Sequence, residues 1–550
     1  MNTRPVEPTV LSDPTALCQT LSASRFLALP GAAQLALWLL PIVILKAASL
    51  FEPPVWDSAM GVFPPAIFLY ESQFDIRGLL AQPNWWLGGP NVHSLSIFTW
   101  FVALVMTVTG SATATFAIVH VTTFVLVAWS LVLFTRVLVR DGFDPSTVLA
   151  AGAFVLLMPL VLVQVGYLYT ESWIMVLSGA AWAKWREGDR AVSILVCAVA
   201  LFVKLTAIAI AMCVGLALAL SRRPSIARRI ALLSALGLAF FVNRALPVWL
   251  GARSFDNPGW GDARQLGLAL VDRLVAIPDV TIVILGALVA TVLHLALLAR
   301  RGIRIGSLVG SDRRAGAQLI CLAMPFVFSA GIVASIFSET IFLGRYVVPA
   351  IPFSVASILY LARDLGRERI AFFGLLVGCA IHLLNFDGSL YSADHQSFSV
   401  VERSHAYRKF HRLQIDAIAM LRAAPRDMPI FVSKEIDYMV SSPMMGYVDV
   451  ELPQVQPIYL PPYSNRPLSG FPPEFVLLLS NAGHGGEVMV RLARAAQSDP
   501  NYQVRHRPIE SGGFSGALIW IRRGAPAADD AAGADSRGSL EESLAGSSGK

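Results

Sequence analysis

Long apolar stretches, each near the twenty or so residues that a bilayer crossing needs, recur along the first two thirds of the chain. They fall near 31–50, 113–136, 147–165, 171–185, 190–204, 205–221, 228–250, 275–299, 317–337, 345–362 and 370–386, about eleven in all. Their lengths predict membrane-spanning helices. The pair at 190–221 is one run interrupted by Lys204 and Thr206, so its division is the least sharp.

Two further apolar segments fit a different role. Residues 94–109, SLSIFTWFVALVMTVT, are predicted to lie along the membrane surface as an amphipathic helix, or to dip in without crossing. Residues 64–74, PPAIFLYESQF, read as a second short interfacial helix with Pro64 and Pro65 at its start. Beyond residue 387 the pattern changes. Residues 403–424 have helical periodicity, and 485–497 form a helix between strands. PIFVS (429–433), FVLLLS (475–480), YQVRHRPI (502–509) and GALIWIRR (516–523) read as strands.

The fold class is therefore an all-α polytopic membrane domain followed by a small C-terminal α/β domain. The expected organisation is an N-terminal segment 1–30, a membrane domain 31–386 whose first outer loop is 51–112, an α/β domain 387–523, and a disordered tail 524–550 rich in Ala, Gly, Ser and Asp. Composition agrees: of 550 residues, 55% are hydrophobic and only 15% charged. The first thirty residues are polar and the first apolar run is long enough to remain an anchor, so no cleaved leader is expected. Four of the five cysteines sit in apolar runs, none has metal-site spacing, and neither a disulfide framework nor a zinc site is expected.

Charge fixes the expected orientation. The net charge of +6 is carried largely by arginines in short loops between apolar runs: 136 and 140, 186 and 190, 222 to 229, 300 to 314, and 363 to 369. With the N-terminus inside and 94–109 not crossing, all these loops fall on the cytoplasmic side. That pattern is topological, so nucleic acid is set aside as a partner. The opposite, extracytoplasmic side then holds the 51–112 loop, the 167–171 turn, the 251–274 loop, residues 339–345 and everything after about 386.

Ionisable residues beside a membrane are costly and tend to be functional. Asp57 lies seven residues past the first run, beside Trp56; under an apolar roof its carboxylate can take a proton from an acceptor hydroxyl, and the alternative is a solvated loop acid. His93, in GGPNVHSLS, stands at the start of the 94–109 helix, as a hydrogen-bond donor to a phosphate or as a cap. Glu171, in GYLYTES, begins the fourth crossing, where an acid also simply complements the helix dipole. Lys204, in LFVKLTAI, pairs with a lipid phosphate or snorkels to the interface. SETIFLGRYVVP brings Glu339, Arg345 and Tyr346; Arg345 suits bidentate phosphate contact, and a structural pair with Glu339 is the alternative. NAGHGGE (481–487) is better read as a strand-to-helix turn than as a phosphate loop.

Taken together, these motifs resemble the GT-C superfamily of polyprenyl-phosphate-sugar-dependent glycosyltransferases, which includes protein O-mannosyltransferases and lipid A aminoarabinose transferases. The resemblance spans about 1–386 and rests on the order of Asp57, NVHSLS, GYLYTES, LFVKLTAI and GRYVVPAIP. Two positions depart from the family's pattern: Ser58 follows the acid where a Glu is frequent, and Ser94 follows His93 where Pro is usual. The resemblance implies an inverting transfer from a polyprenyl-phosphate sugar to a hydroxyl of a lipid, glycan or protein, on the outer face of the plasma membrane. Asp57 would activate the acceptor, Arg345, Lys204 and His93 would stabilise the departing phosphate, and Glu171 would orient the sugar or assist the base. Glu339 and Tyr346 complete the expected substrate site. No cofactor is expected with certainty; a divalent metal is conceivable for the family, but no clear motif supports one. The competing expectations are a polytopic transporter or flippase, which requires interrupted helices and inverted repeats, an O-antigen ligase or polymerase, and a scaffold whose outer domain binds a partner.

Overall fold

A computed structural model describes residues 29–55, 58–81, 96–221, 225–249, 278–300, 313–337, 344–386, 405, 407–423, 427–458, 466–480, 486–511 and 514–524. The protein is an all-α membrane part joined to a small C-terminal α/β unit. Every apolar run carries helix: α1 (Gly31–Lys46), α2 (Phe63–Glu71), α3 (Ile76–Ala81), α4 (Ile97–Thr109), α5 (Ala112–Arg140), α6 (Pro145–Leu157), α7 (Pro159–Tyr167), α8 (Thr170–Glu187), α9 (Arg190–Val203), α10 (Ile208–Leu220), α11 (Ile226–Trp249), α12 (Pro278–Arg300), α13 (Arg313–Phe337), α14 (Ile351–Asp364) and α15 (Glu368–Leu384). Six of the described helices are singly long and apolar enough to cross a membrane, or seven with α6 and α7 taken as one bent span. That is fewer than the eleven runs, because α9, α10 and α15 are short and α8 carries Glu171, Lys184, Arg186 and Glu187.

Two helices break where the sequence suggests continuity or only a weak division. Pro159 follows Met158, whose ψ of 121° is incompatible with helix, and the chain bends by 57° between α6 and α7. Lys204 is fully extended at φ −163° and ψ 145°, ending α9 before a tight turn at 205–207 leads into α10. The two helices expected at the membrane surface are both formed and both short: α2 has prolines in its first turn and is buried against other protein segments, and α4 has thirteen residues, too few to span. Ser96 caps α4 and Gly110, at φ +58°, turns the chain into α5.

One end of the bundle is basic. Asp141, fully buried, accepts from Arg186 Nε at 2.5 Å and from the Tyr360 hydroxyl, and its carbonyl accepts from Arg314 (2.6 Å) and Arg363 (2.7 Å). Arg140 pairs with Glu187 at 3.1 Å. Loops distant in sequence thus gather at a single face. Glu171 and Arg345 lie at the opposite ends of the α8 and α14 segments from Arg186 and Arg363, so they face away from it.

The C-terminal unit is a five-stranded sheet in the order β2-β1-β3-β5-β4, with β1 (Ile430–Val432), β2 (Val455–Pro457), β3 (Glu474–Ser480), β4 (Tyr502–Ser511) and β5 (Phe514–Arg523). Pairings β1–β2 and β1–β3 are parallel; β3–β5 and β4–β5 are antiparallel. Short β2 and the helix α17 (Lys434–Val440) were not foreseen, being too brief to show a period; α16 (Tyr407–Ala423) and α18 (Gly486–Ser498) were. Both sheet faces are buried, and strand alternation assigns them. Phe431, Phe475, Leu477, Ile519 and Ile521 face α18. Ile430, Val432, Val476, Leu478 and Leu518 join a second core with α16, α2, α4 and the 55–79 segment. The C-terminal unit and the first loop therefore share one interior.

Candidate active site

The site is built from backbone irregularities on the face opposite the basic loops. Between α7 and α8 the chain turns through Leu168, a buried residue held at φ +59°. A γ-branched side chain in the left-handed region is strained and persists only where the surroundings over-determine it. Ser58 provides part of that constraint: its hydroxyl donates to the Tyr167 carbonyl at 2.6 Å, with the Leu168 carbonyl at 3.3 Å. The turn delivers Tyr169, Thr170 and Glu171 in succession.

Glu171 is 1% exposed. One of its oxygens, Oε1, accepts from the Lys204 ammonium and lies 3.4 Å from Arg345 Nε. Its other oxygen accepts from the Thr170 hydroxyl at 3.3 Å. The break after α9 is what lets Lys204 reach inward. The tight turn at 344–350 places Arg345, 3% exposed, between the rings of Tyr169 (4.5 Å) and Tyr346 (5.4 Å). The Lys204 ammonium also lies 4.6 Å from the Tyr346 ring. Two cations thus share one carboxylate, and aromatic faces supply further negative potential. Guanidinium and ammonium groups gathered in this way suit an anion such as a phosphate.

Four residues singled out from the sequence, Glu171, Lys204, Arg345 and Tyr346, are brought together although they come from three distant segments. Asp57, His93 and Glu339 lie outside the described residues. Their described neighbours are anchored on the cluster's edges: Ser58 on the Tyr167–Leu168 turn, and Ser96, whose hydroxyl donates to the Val203 carbonyl at 2.8 Å, beside Lys204. Sequence reasoning missed Tyr169, Thr170 and Ser58, which carry no charge to draw notice. It also passed over Lys46, a charge at the end of an apolar run, now fully buried with its ammonium 3.1 Å from His405 Nε2.

Among the described residues, no group of three or more His, Cys, Asp or Glu side chains could hold a metal ion. Cys197, Cys213, Cys321 and Cys379 are free and buried. No family model and no curated protein sequence matches the chain. Among solved structures, the chain is similar to the crystal structure of ArnT from Cupriavidus metallidurans bound to undecaprenyl phosphate, at a TM-score of 0.46 and 13% identity over 89% of this chain and 98% of that one. At that similarity the likeness assigns no residue and no activity.

Proposed function

We propose that this chain is a membrane glycosyltransferase of the GT-C type, which moves a sugar from a polyprenyl-phosphate donor to an acceptor hydroxyl with inversion. The observation that carries the reading is the convergence of Lys204 and Arg345 on Glu171 at the end of the bundle remote from the basic loops. By the positive-inside tendency, that end is extracytoplasmic. As the acceptor oxygen bonds to the sugar's anomeric carbon, the bond from that carbon to the phosphate oxygen breaks and negative charge grows on the departing lipid phosphate, and preorganised cations aimed at that charge lower the barrier. Arg345 offers a planar fork for two phosphate oxygens, and Lys204 a point charge. Glu171 holds both cations close against their mutual repulsion, a role that fits its contacts better than orienting the sugar. Asp57 acts as the base on the acceptor; Ser58, the next residue, is fastened to the turn that carries Glu171.

The test is mass spectrometry of cell-envelope glycans with and without the protein, complemented by the wild type or by Asp57→Asn. A glycan that disappears with the protein and returns only with the wild type supports the reading. Full complementation by Asp57→Asn removes its base.

A second reading, a transporter or flippase for a lipid-linked or small substrate, gains from one observation. Such proteins use discontinuous helices at their substrate sites, and the α6–α7 bend and the Lys204 break are two such interruptions. Solute or lipid movement by the purified protein, without any change in glycans, would favour it.

A further inference from the structure

A continuous file of aromatic rings leads from the C-terminal unit to the cation cluster. Tyr407, at the start of α16, packs its ring 4.2 Å from that of Tyr167. Tyr167 stacks on Tyr169 at 5.0 Å and an interplanar angle of 14°. Tyr169 in turn carries the Arg345 guanidinium on its face at 4.5 Å. All three rings are buried.

The far end of the file is tied down by charge. The Tyr407 hydroxyl donates to Glu52 at 3.2 Å, and Arg408 reaches the same carboxylate at 3.3 Å and Ser49 Oγ at 2.7 Å. Lys46 lies 5.6 Å from the Tyr407 ring centre and contacts His405 Nε2. His405 Nδ1 lies 3.1 Å from the Phe386 carbonyl, an acceptor only, so Nδ1 carries the proton and Nε2 accepts from the Lys46 ammonium. The imidazole also stacks on Phe386 at 3.8 Å. The mechanism above uses the Tyr169 ring but gives no task to Tyr167, Tyr407 or the charges around Glu52.

We propose that Tyr407 is a positioning residue: through Tyr167 and Tyr169 it sets where the Arg345 guanidinium sits, so that the C-terminal unit controls the membrane-embedded anion site. The inference rests on the transferase reading for its catalytic consequence, but not for its geometry. An arginine clamped between two rings has its direction set by those rings. The Tyr169 ring hangs from a strained turn and is backed by Tyr167, and Tyr407 braces Tyr167 from the C-terminal side. Loss of that brace lets the guanidinium swing and uncovers it.

The experiment uses the full-length protein in lipid nanodiscs with two readouts. The first is the rate at which phenylglyoxal modifies Arg345, measured by mass spectrometry against the other arginines. The second is binding of polyprenyl phosphate. Tyr407→Leu is expected to raise the Arg345 modification rate selectively and to weaken phosphate binding on the order of tenfold, while Tyr407→Phe, which keeps the ring, stays near wild type. In an Arg345→Lys background, Tyr407→Leu adds no further loss of binding. Gly166→Ala provides a second approach should Tyr407→Leu fold poorly: a methyl there meets Lys46 Nζ at 2.6 Å and the Tyr407 hydroxyl at 3.0 Å, displacing the file from behind. It too is expected to speed modification of Arg345. Unchanged modification in both variants, a rise shared by all arginines, or additive losses with Arg345→Lys would each overturn the proposal. If the wild type binds no polyprenyl phosphate, the transferase reading fails, and the modification rates alone decide whether Tyr407 positions Arg345.

Discussion

Glu171 and Lys204, 33 residues apart, form a buried ion pair at the point where one helix begins and another ends. Glu171 opens α8 and Lys204 is the extended residue that stops α9. Arg345 shares the carboxylate. Glu171→Gln therefore removes the carboxylate charge that both cations share. Removing one partner of a buried pair costs about 3–5 kcal/mol, and a clear fall in thermal unfolding temperature is expected in detergent. The double variant Glu171→Gln, Lys204→Met removes the repulsion as well and is expected to recover part of the loss. Equal losses in the single and double variants would show that the pair is not coupled.

Arg345→Lys keeps the charge but discards the fork and the flat surface that rests on Tyr169. Under the transferase reading, kcat/KM for the lipid-linked donor is expected to fall by roughly 10–100-fold. Steady-state kinetics with a matched unfolding curve would separate this from instability; an unchanged kcat/KM argues against a phosphate-binding guanidinium.

Asp57→Asn is expected to lower the transfer rate by roughly 10²–10⁴-fold, the usual contribution of a positioned base, with donor binding retained. The check is single-turnover transfer beside a donor-binding measurement. Loss of both together would assign Asp57 to binding and not to proton removal.

Acid is expected to weaken the packing of α16. Burial, with the nearby Arg408 charge, lowers the His411 imidazole from 6.5 to about 3. Burial and the Lys46 ammonium lower His405 to about 2. His411 is neutral and its Nε2–H donates to the Tyr447 hydroxyl at 2.8 Å, which donates onward to the Pro54 carbonyl at 2.8 Å. The unfolded chain binds these protons below about pH 6.5 and the folded chain does not, so stability is full above that pH and is lost as pH falls toward the folded values. Unfolding temperatures measured from pH 7.5 down to 4.5 should decline, and His411→Gln should flatten the decline. A slope that is unchanged in the variant would rule out His411 as a source.

Much of the helical layout was legible because run length and loop charge are properties of neighbouring residues. The basic loops at Arg140, Arg186, Arg314 and Arg363 meet around Asp141 and Glu187 as their shared side predicts. Pro159 was visible in the sequence, but a proline alone does not reveal a 57° bend, which the packing around α7 decides. In the site, charged residues stood out against an apolar background, so Glu171, Lys204 and Arg345 were found one by one. Their sharing of a single carboxylate was not legible, since it depends on where α9 ends. Tyr169 and Tyr407 were missed because an aromatic residue beside a membrane looks like ordinary core. Only the distance from Tyr407 to Tyr167 distinguishes them.

The interior common to residues 55–79 and 407–448 sets an order on biogenesis. Ribosomal synthesis delivers the first loop some 350 residues before its packing partners, since Tyr447 and Pro54 are separated by 393 positions. Until α16 has been made, Phe63 and Phe98 have their partners Phe116 and Trp173 from the membrane part, and the C-terminal share of this core is still to come. Completion of this core thus waits on translation of the chain's last quarter, and a stalled or clipped product would carry its helices yet lack a finished interior around the first loop.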